Sequence, residues 1–184
     1  MSRPVVLDLC AGTGAWSEPY ANAGYDVRRI DLPTDVRLLH FPWGIHGILA
    51  APPCTMFCRM RMCRGEPTQD QFREALSVVD ACLRLVAVCR PSWWALENPQ
   101  GYLSRWLGPP QLRFDPFEYG DPWTKRTWVW GNFRLPLATM AAVAPVDSWV
   151  RKHGPDGQTG IAKGTAEASR TPPGFAQAFF EANP

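Results

Sequence analysis

Cys54 follows two prolines, and Glu97 is followed by Asn98 and Pro99. A cysteine attacks carbon as its thiolate and a carboxyl can hold or deliver a proton. The two residue types could therefore act as nucleophile and acid on one substrate. Pro52 and Pro53 fix their own φ angles and stiffen the turn that carries Cys54. No histidine lies near either motif, which disfavours a cysteine–histidine hydrolase, with His40, His46 and His153 as distant candidates. Free cysteines are also often small buried hydrophobes, and that reading of Cys54 stays open.

A second constellation is Asp8-Leu9-Cys10-Ala11-Gly12-Thr13-Gly14. An apolar run entering a glycine turn lets the backbone approach a ligand closely at a helix N-terminus. Gly-Thr-Gly lacks the third glycine of the dinucleotide fingerprint. Asp31 stands where a carboxylate would bind ribose hydroxyls. Together these residues read as a site for a nucleoside-bearing cofactor without a pyrophosphate site, or else as a structural glycine turn. Cys54, Cys58 and Cys63 match neither a zinc spacing nor an iron–sulfur run, so no metal is expected. Arg59, Arg61 and Arg64 either close over phosphates or form a solvated charged loop. Trp123, Trp128 and Trp130 either stack on a base or belong to the core.

The elements that must position these residues alternate. Apolar runs at 4–9, 25–30, 45–50 and 93–96 predict strands, with a further strand at 127–130. A helix is expected at 15–23 and a short closing one at 173–182. The clearest helix is 69–89, where Phe72, Leu76, Val79, Leu83 and Val86 recur at spacings of three and four. Thr68 and Gln71 supply its capping box. Strand, helix and strand in alternation predict an α/β fold, a mostly parallel central sheet with helices on both faces. In such sheets ligands sit beyond the carboxyl ends of the strands, and every motif above follows a predicted strand. Residues 134–165 read as loops.

The chain has 184 residues, enough for one domain over 1–184 with an ordinary core. It is 46% hydrophobic and 20% charged, which reads as globular and soluble. No apolar run approaches the roughly 20 residues of a membrane span, and no signal peptide is read at the N-terminus. A net charge of +2 does not by itself imply nucleic acid. Two of the six cysteines fall in a helical pattern and one in a glycine turn, which favours a reducing cytoplasm.

At these motifs the chain resembles the DNA cytosine-5 methyltransferases, particularly the small phage-type members. Asp8 to Gly14 is similar to that family's cofactor motif, with Cys10 where phenylalanine is usual. Asp31 resembles the ribose-binding acid and Asp35-Val36 the motif that meets the adenine. Pro53-Cys54 resembles the catalytic Pro-Cys, and Glu97-Asn98 the catalytic Glu-Asn. The segment from Tyr119 to Phe133 is similar to a block near the target base, and Arg170 to Ala176 to the closing motif. The motifs keep the family's order over nearly the whole chain. There are departures: Thr55 replaces glutamine, Cys58 stands where serine is common, and Pro99 replaces valine. Trp123-x-Lys125-x-Thr127 stands where Gln-x-Arg-x-Arg is expected, with Arg126 as the candidate substitute. About 40 residues at most precede the closing motif, too few for a sequence-reading domain.

The resemblance implies a Rossmann-like methyltransferase fold with S-adenosylmethionine as cofactor. It places Asp8, Leu9, Cys10, Gly12, Gly14, Trp16, Asp31, Leu32, Asp35, Val36 and Pro52 around the cofactor. Cys54, Glu97, Asn98 and Arg126 become catalytic candidates, and Pro53, Thr55, Arg59, Arg61, Lys125 and Thr127 substrate contacts. The reaction implied is methylation at carbon 5 of cytosine through a covalent Cys54 adduct. Its substrate is DNA, duplex or single-stranded, with a free cytosine nucleotide or RNA as alternatives. A separate recognition subunit and a non-catalytic DNA-binding relative also stay open. If the gene is phage-borne, the site of action is the bacterial host cytoplasm.

Overall fold

The computed structural model describes residues 2–40, 44–58, 65–139, 147–148 and 170–184, the pair 147–148 by backbone alone. Four strands run parallel: β1 (Val5–Leu9), β2 (Asp26–Ile30), β3 (Ile45–Ala50) and β4 (Trp93–Pro99). Two more, β5 (Leu112–Phe114) and β7 (Thr127–Asn132), complete the sheet in the order β2-β1-β3-β4-β7-β5; β7 is antiparallel to both β4 and β5, so β5 runs the same way as β1–β4. A two-residue ladder pairs β6 (Trp123–Thr124) with β8 (Asp147–Ser148), and β8 lies inside 134–165, the stretch expected to be loop.

Side chains alternate between the faces of a strand, and both faces of this sheet are covered. Leu7, Leu9, Ile48, Ala50 and Leu96 point to one face. There they meet α2 (Gln69–Cys89) through Leu76, Val79, Cys82 and Leu85. Val6, Leu49, Ala95 and Val129 point to the other, against Trp16, Tyr20 of α1 (Glu18–Asn22), and Phe175 and Phe179 of α4 (Pro173–Ala182). Each fully buried leucine, valine or phenylalanine contributes about 1.5–3 kcal/mol of transfer free energy. The core is therefore two layers of helix around one sheet, as the alternating pattern predicted.

The bounds of β3, α2 and α4 coincide with those read from the sequence. The Thr68 hydroxyl accepts from the Gln71 amide at 3.3 Å, while the Gln71 side chain accepts from the Thr68 amide at 3.1 Å. The capping box is thus closed in both directions. α1 is shorter than expected and starts at Glu18, because Pro19 lacks an amide hydrogen and is tolerated only in a first turn. β4 runs through Glu97-Asn98-Pro99 rather than stopping before them. A short α3 (Ser104–Leu107) and 3-10 turns at Val36–Leu38 and Pro116–Tyr119 have no periodic signal in the sequence. Among the described residues, no helix is long and apolar enough to cross a membrane.

Candidate active site

β1 has β2 on one side and β3 on the other, so the chain's progression across the sheet reverses at β1. In open α/β sheets such a reversal leaves a crevice at the carboxyl ends of the strands, where ligands bind. Two backbone bonds draw the adjoining loops together. The Ala11 amide donates to the Ile30 carbonyl at 3.0 Å, and the Ala51 amide donates to the Leu9 carbonyl at 2.9 Å. The glycine turn, the segment after Asp31 and the Cys54 turn therefore leave the sheet side by side.

At the glycine turn, Asp8 is buried and accepts a hydrogen bond from the Ser17 hydroxyl. Burial raises its carboxyl to about 6, against the lowering effects of Ser17 and Arg29. Arg29 donates to Ser17 at 3.0 Å and to Glu18 at 2.6 Å. Gly12 and Gly14 both take positive φ, at 52° and 70°. A Cβ on Gly12 would meet open space, whereas one on Gly14 would overlap the Arg29 guanidinium. A ligand can therefore approach the backbone at Gly12, while Arg29 fills the space beside Gly14. Cys10 adopts φ 57°, uncommon for a residue with a Cβ. Its sulfur hydrogen-bonds Cys82 of α2, and that contact, with burial, pushes the Cys82 thiol up.

The remaining cofactor candidates divide. Asp31 is exposed after β2, with Leu32 beside it at 83% exposure. Asp35 caps the 3-10 turn by accepting from the Arg37 amide at 2.9 Å, and its carboxylate holds the Arg37 side chain. That pairing keeps Asp35 below the usual carboxylate range. Val36 is buried against the α2 face. Leu9 is fully buried, and Trp16 packs edge-on to Phe179 with centroids 5.5 Å apart. The structure gives the side chains of Leu9, Trp16 and Val36 to packing, so only their backbone or edges could meet a ligand. Pro52 is buried and Pro53 exposed.

Cys54 begins a single turn, accepting on its carbonyl from the amides of Phe57 at 2.8 Å and Cys58 at 2.9 Å. The turn is fastened from below. The Tyr102 amide donates to the Phe57 carbonyl at 2.7 Å, and a Cβ on Gly101 would overlap that same carbonyl. From the side, Asn98 donates through Nδ2 to the Pro52 carbonyl at 2.9 Å, while its own Oδ1 has no partner among the described residues. A hydrogen bond with Cys58, then burial, then the charge of Glu97 push the Cys54 thiol well above its ordinary range, and Lys125 draws it down. Burial raises the Glu97 carboxyl as well, again opposed by Lys125. The Cys54 thiol is thus un-ionised at neutral pH, and burial favours the protonated form of Glu97 beside it. Thr55 is exposed.

Lys125 lies near enough for its charge to act on this pair because β7 runs backwards, while its Nζ donates to the Arg170 carbonyl at 3.5 Å. Pro99 at the end of β4 faces Thr127 at the start of β7, and the Gln100 amide donates to the Arg126 carbonyl at 3.0 Å. Antiparallel pairing therefore delivers residues 125–127 to the edge where the parallel strands end. Arg126 is 62% exposed on its side chain and donates to the buried Asp115 carboxylate at 3.0 Å and 3.1 Å. Thr127 is buried, and its hydroxyl donates to the Lys125 carbonyl at 2.7 Å, an internal use rather than a free contact. Arg59 and Arg61, with Arg64, Cys63 and His153, lie outside the described residues. Trp130 is core, and Trp128 is partly buried against it.

Sequence reasoning missed Ser17, Gly101 and the role of Cys58 as a thiol partner; no local spacing marks them, since each acts across a tertiary contact. A concavity of about 580 Å³ lies elsewhere, along Arg3, Tyr25 and Arg28, and contains none of the candidate residues.

No family profile and no curated protein matches the chain. Solved structures do. One is an Escherichia coli prophage-encoded protein described as a DNA modification methyltransferase, at 18% identity and a TM-score of 0.54. The match covers 82% of this chain and 54% of that one, so the chain spans about half the length of this relative. A second is the Entamoeba histolytica methyltransferase EhMeth, at 11% identity and a TM-score of 0.48, covering 84% of this chain and 60% of that one. The six-stranded, mostly parallel sheet is a Rossmann-like fold of the kind found in methyltransferase structures.

Proposed function

We propose that the chain is an S-adenosylmethionine-dependent methyltransferase acting at carbon 5 of cytosine in DNA, with Cys54 as nucleophile. The observation that carries this reading is the meeting of Cys54, Glu97 and Lys125 at one sheet edge, beside the Gly12 turn. We take residues 1–184 as one catalytic domain.

The residues around the crevice fit the cofactor. Gly12 leaves room over its backbone, Asp31 offers an exposed carboxylate to ribose hydroxyls, and exposed Leu32 offers an apolar edge to a purine. When bound, the cofactor supplies an electrophilic methyl group. The chain's own residues make carbon 5 able to accept it. Cys54 gives up its thiol proton to solvent, its sulfur bonds to carbon 6 as the ring double bond opens, and Glu97 gives its proton to ring nitrogen 3. Once carbon 5 carries the methyl group it loses its proton to solvent water, the ring double bond re-forms as the carbon–sulfur bond breaks and Cys54 leaves as the thiolate, and nitrogen 3 returns its proton to Glu97. Lys125 favours the ionised forms of both groups. In a duplex the base must first leave the stack.

The test is incubation with labelled S-adenosylmethionine and duplex DNA, single-stranded DNA, RNA or dCMP, each also as its 5-fluorocytosine analogue. Label transfer, with a covalent adduct that Cys54→Ala abolishes, is the expected result. Confirmed cofactor binding with no transfer and no adduct on any substrate would leave a protein that needs a separate recognition subunit or only binds.

A further inference from the structure

We infer that Cys54 and Cys58 are a modification site: a peroxide joins them in a disulfide that silences the nucleophile, and a dithiol restores it. This rests on the reading of Cys54 as nucleophile and adds its regulation. The Cys58 amide donates to the Cys54 carbonyl at 2.9 Å, so the two residues stand one helical turn apart. Side chains four residues apart on such a turn share a face, with Cβ atoms about 5–6 Å apart. The two thiols are themselves hydrogen-bonded. Cys58 is also held from below, by a β-bridge to Gly101, where an added Cβ would lie 3.0 Å from Cys58 Cα. Both cysteines are half-buried, within reach of a small oxidant, and neither is in a disulfide.

Four residues of helical rise bring the Cα atoms to about 6 Å, inside the window of about 4.4–6.8 Å that a disulfide spans. The Cβ atoms must still close to about 3.5–4.5 Å. The turn therefore tightens, and a bridge closed under strain is readily reduced. Only the thiolate reacts with peroxide. The Cys54 thiol is un-ionised at rest, and Lys125 favours the small fraction that loses its proton to solvent. That sulfur attacks one peroxide oxygen, the oxygen–oxygen bond breaks, and hydroxide leaves to take up the proton. Cys54 is then a sulfenic acid. The Cys58 sulfur attacks the Cys54 sulfur, the sulfur–oxygen bond breaks, and the oxygen departs as water with the Cys58 proton. Two electrons have passed from the sulfurs to the peroxide. A dithiol returns them, leaving two cysteine thiols and its own cyclic disulfide. While the bridge is closed, the sulfur that would bond to carbon 6 is occupied. Capture by Cys58 also stops Cys54 short of the irreversible sulfinic acid. Two cysteines can be neighbours through packing alone, and the experiment separates that role.

The protein is treated with hydrogen peroxide, alkylated with iodoacetamide and digested with trypsin, which cuts after Arg37 and Arg59 and leaves both cysteines on residues 38–59. That peptide is expected to lack two hydrogens and carry no alkyl group. After dithiothreitol it should accept an alkyl group at each cysteine, read by fragment masses that keep oxidation of Met56 apart. With dimedone present, Cys54 of Cys58→Ser should carry the sulfenic-acid adduct, and the parent should lack it. Bridged protein should form no 5-fluorocytosine adduct and regain that ability with dithiothreitol. Equal dimedone labelling in Cys58→Ser and the parent overturns the inference. So does a parent Cys54 that stays a thiol, runs on to sulfinic acid or pairs with Cys10, Cys63, Cys82 or Cys89. The parent digest stands by itself if Cys58→Ser fails to fold. A chain that closes the bridge but forms no 5-fluorocytosine adduct even when reduced keeps the disulfide and loses the proposed reaction. A chain that forms the adduct and no bridge does the reverse.

Discussion

Asn98 Nδ2 donates to the Pro52 carbonyl at 2.9 Å, joining the end of one strand to the turn that leaves its neighbour. Both residues are buried, so no water replaces the bond when it is lost. Asn98→Ala should cost about 1–3 kcal/mol, the penalty of an orphaned carbonyl, read as a lowered midpoint in urea. Because the bond locates Cys54, label transfer should fall by about tenfold or more, while cofactor affinity by calorimetry is retained. A variant that loses stability but turns over normally would detach the bond from the chemistry.

Lys125 opposes the upward push on both Cys54 and Glu97. Lys125→Met should therefore raise both groups. Alkylation of Cys54 by iodoacetamide should slow at mildly alkaline pH, with its midpoint moved to higher pH. Arg126→Met, whose charge is matched by Asp115, should leave that midpoint in place. Equal profiles for Lys125→Met and the parent would remove Lys125 from the site.

Asp8 sets a pH dependence of stability. Its folded value, about 6, lies above the ordinary 3.8, so the folded state binds the extra proton between the two. Stability from this group is intact below about pH 4 and declines as pH rises through 6, by about 3 kcal/mol in total. Asp8→Asn keeps an acceptor for Ser17 and cannot ionise. Its urea midpoint should exceed that of the parent at neutral pH and match it more closely in acid. A parallel offset at every pH would contradict the burial argument.

Gly101 leaves no room for a Cβ against the Phe57 carbonyl. Gly101→Ala should displace the Cys54 turn, with an overpacking cost of about 1–3 kcal/mol. Turnover should fall about 100-fold in a protein whose circular dichroism is unchanged. Full activity in Gly101→Ala would mean the turn tolerates displacement.

The parallel half of the sheet was legible because its signals are local. Apolar runs mark β1 and β3, and the three-four spacing and Thr68–Gln71 box bound α2 to the residue. β7 was legible as a strand at 127–130, but its antiparallel direction was not. Nothing in Thr127-Trp128-Val129-Trp130 records which way the strand runs, and β5 is three residues long. Cys54 and Glu97 could be singled out by residue type and neighbours, but their meeting with Lys125 depends on that strand direction. Side chains such as Leu9 and Thr127 sit inside motifs yet face the core, a distinction that motif spacing does not carry.

The Ser17 hydroxyl has one hydrogen and two acceptors in reach, the Asp8 carboxylate and the Gly14 carbonyl at 3.2 Å. While Asp8 is ionised, the carboxylate takes that hydrogen. Once Asp8 is protonated, its own O–H can donate to Ser17, and the serine hydrogen is released to Gly14. The hydroxyl is a two-position contact, and Arg29 donates to its oxygen in either position. Through it, the charge state of a carboxyl sealed inside the sheet is reported at the glycine turn, where Gly14's neighbouring amide signals should titrate in step with Asp8.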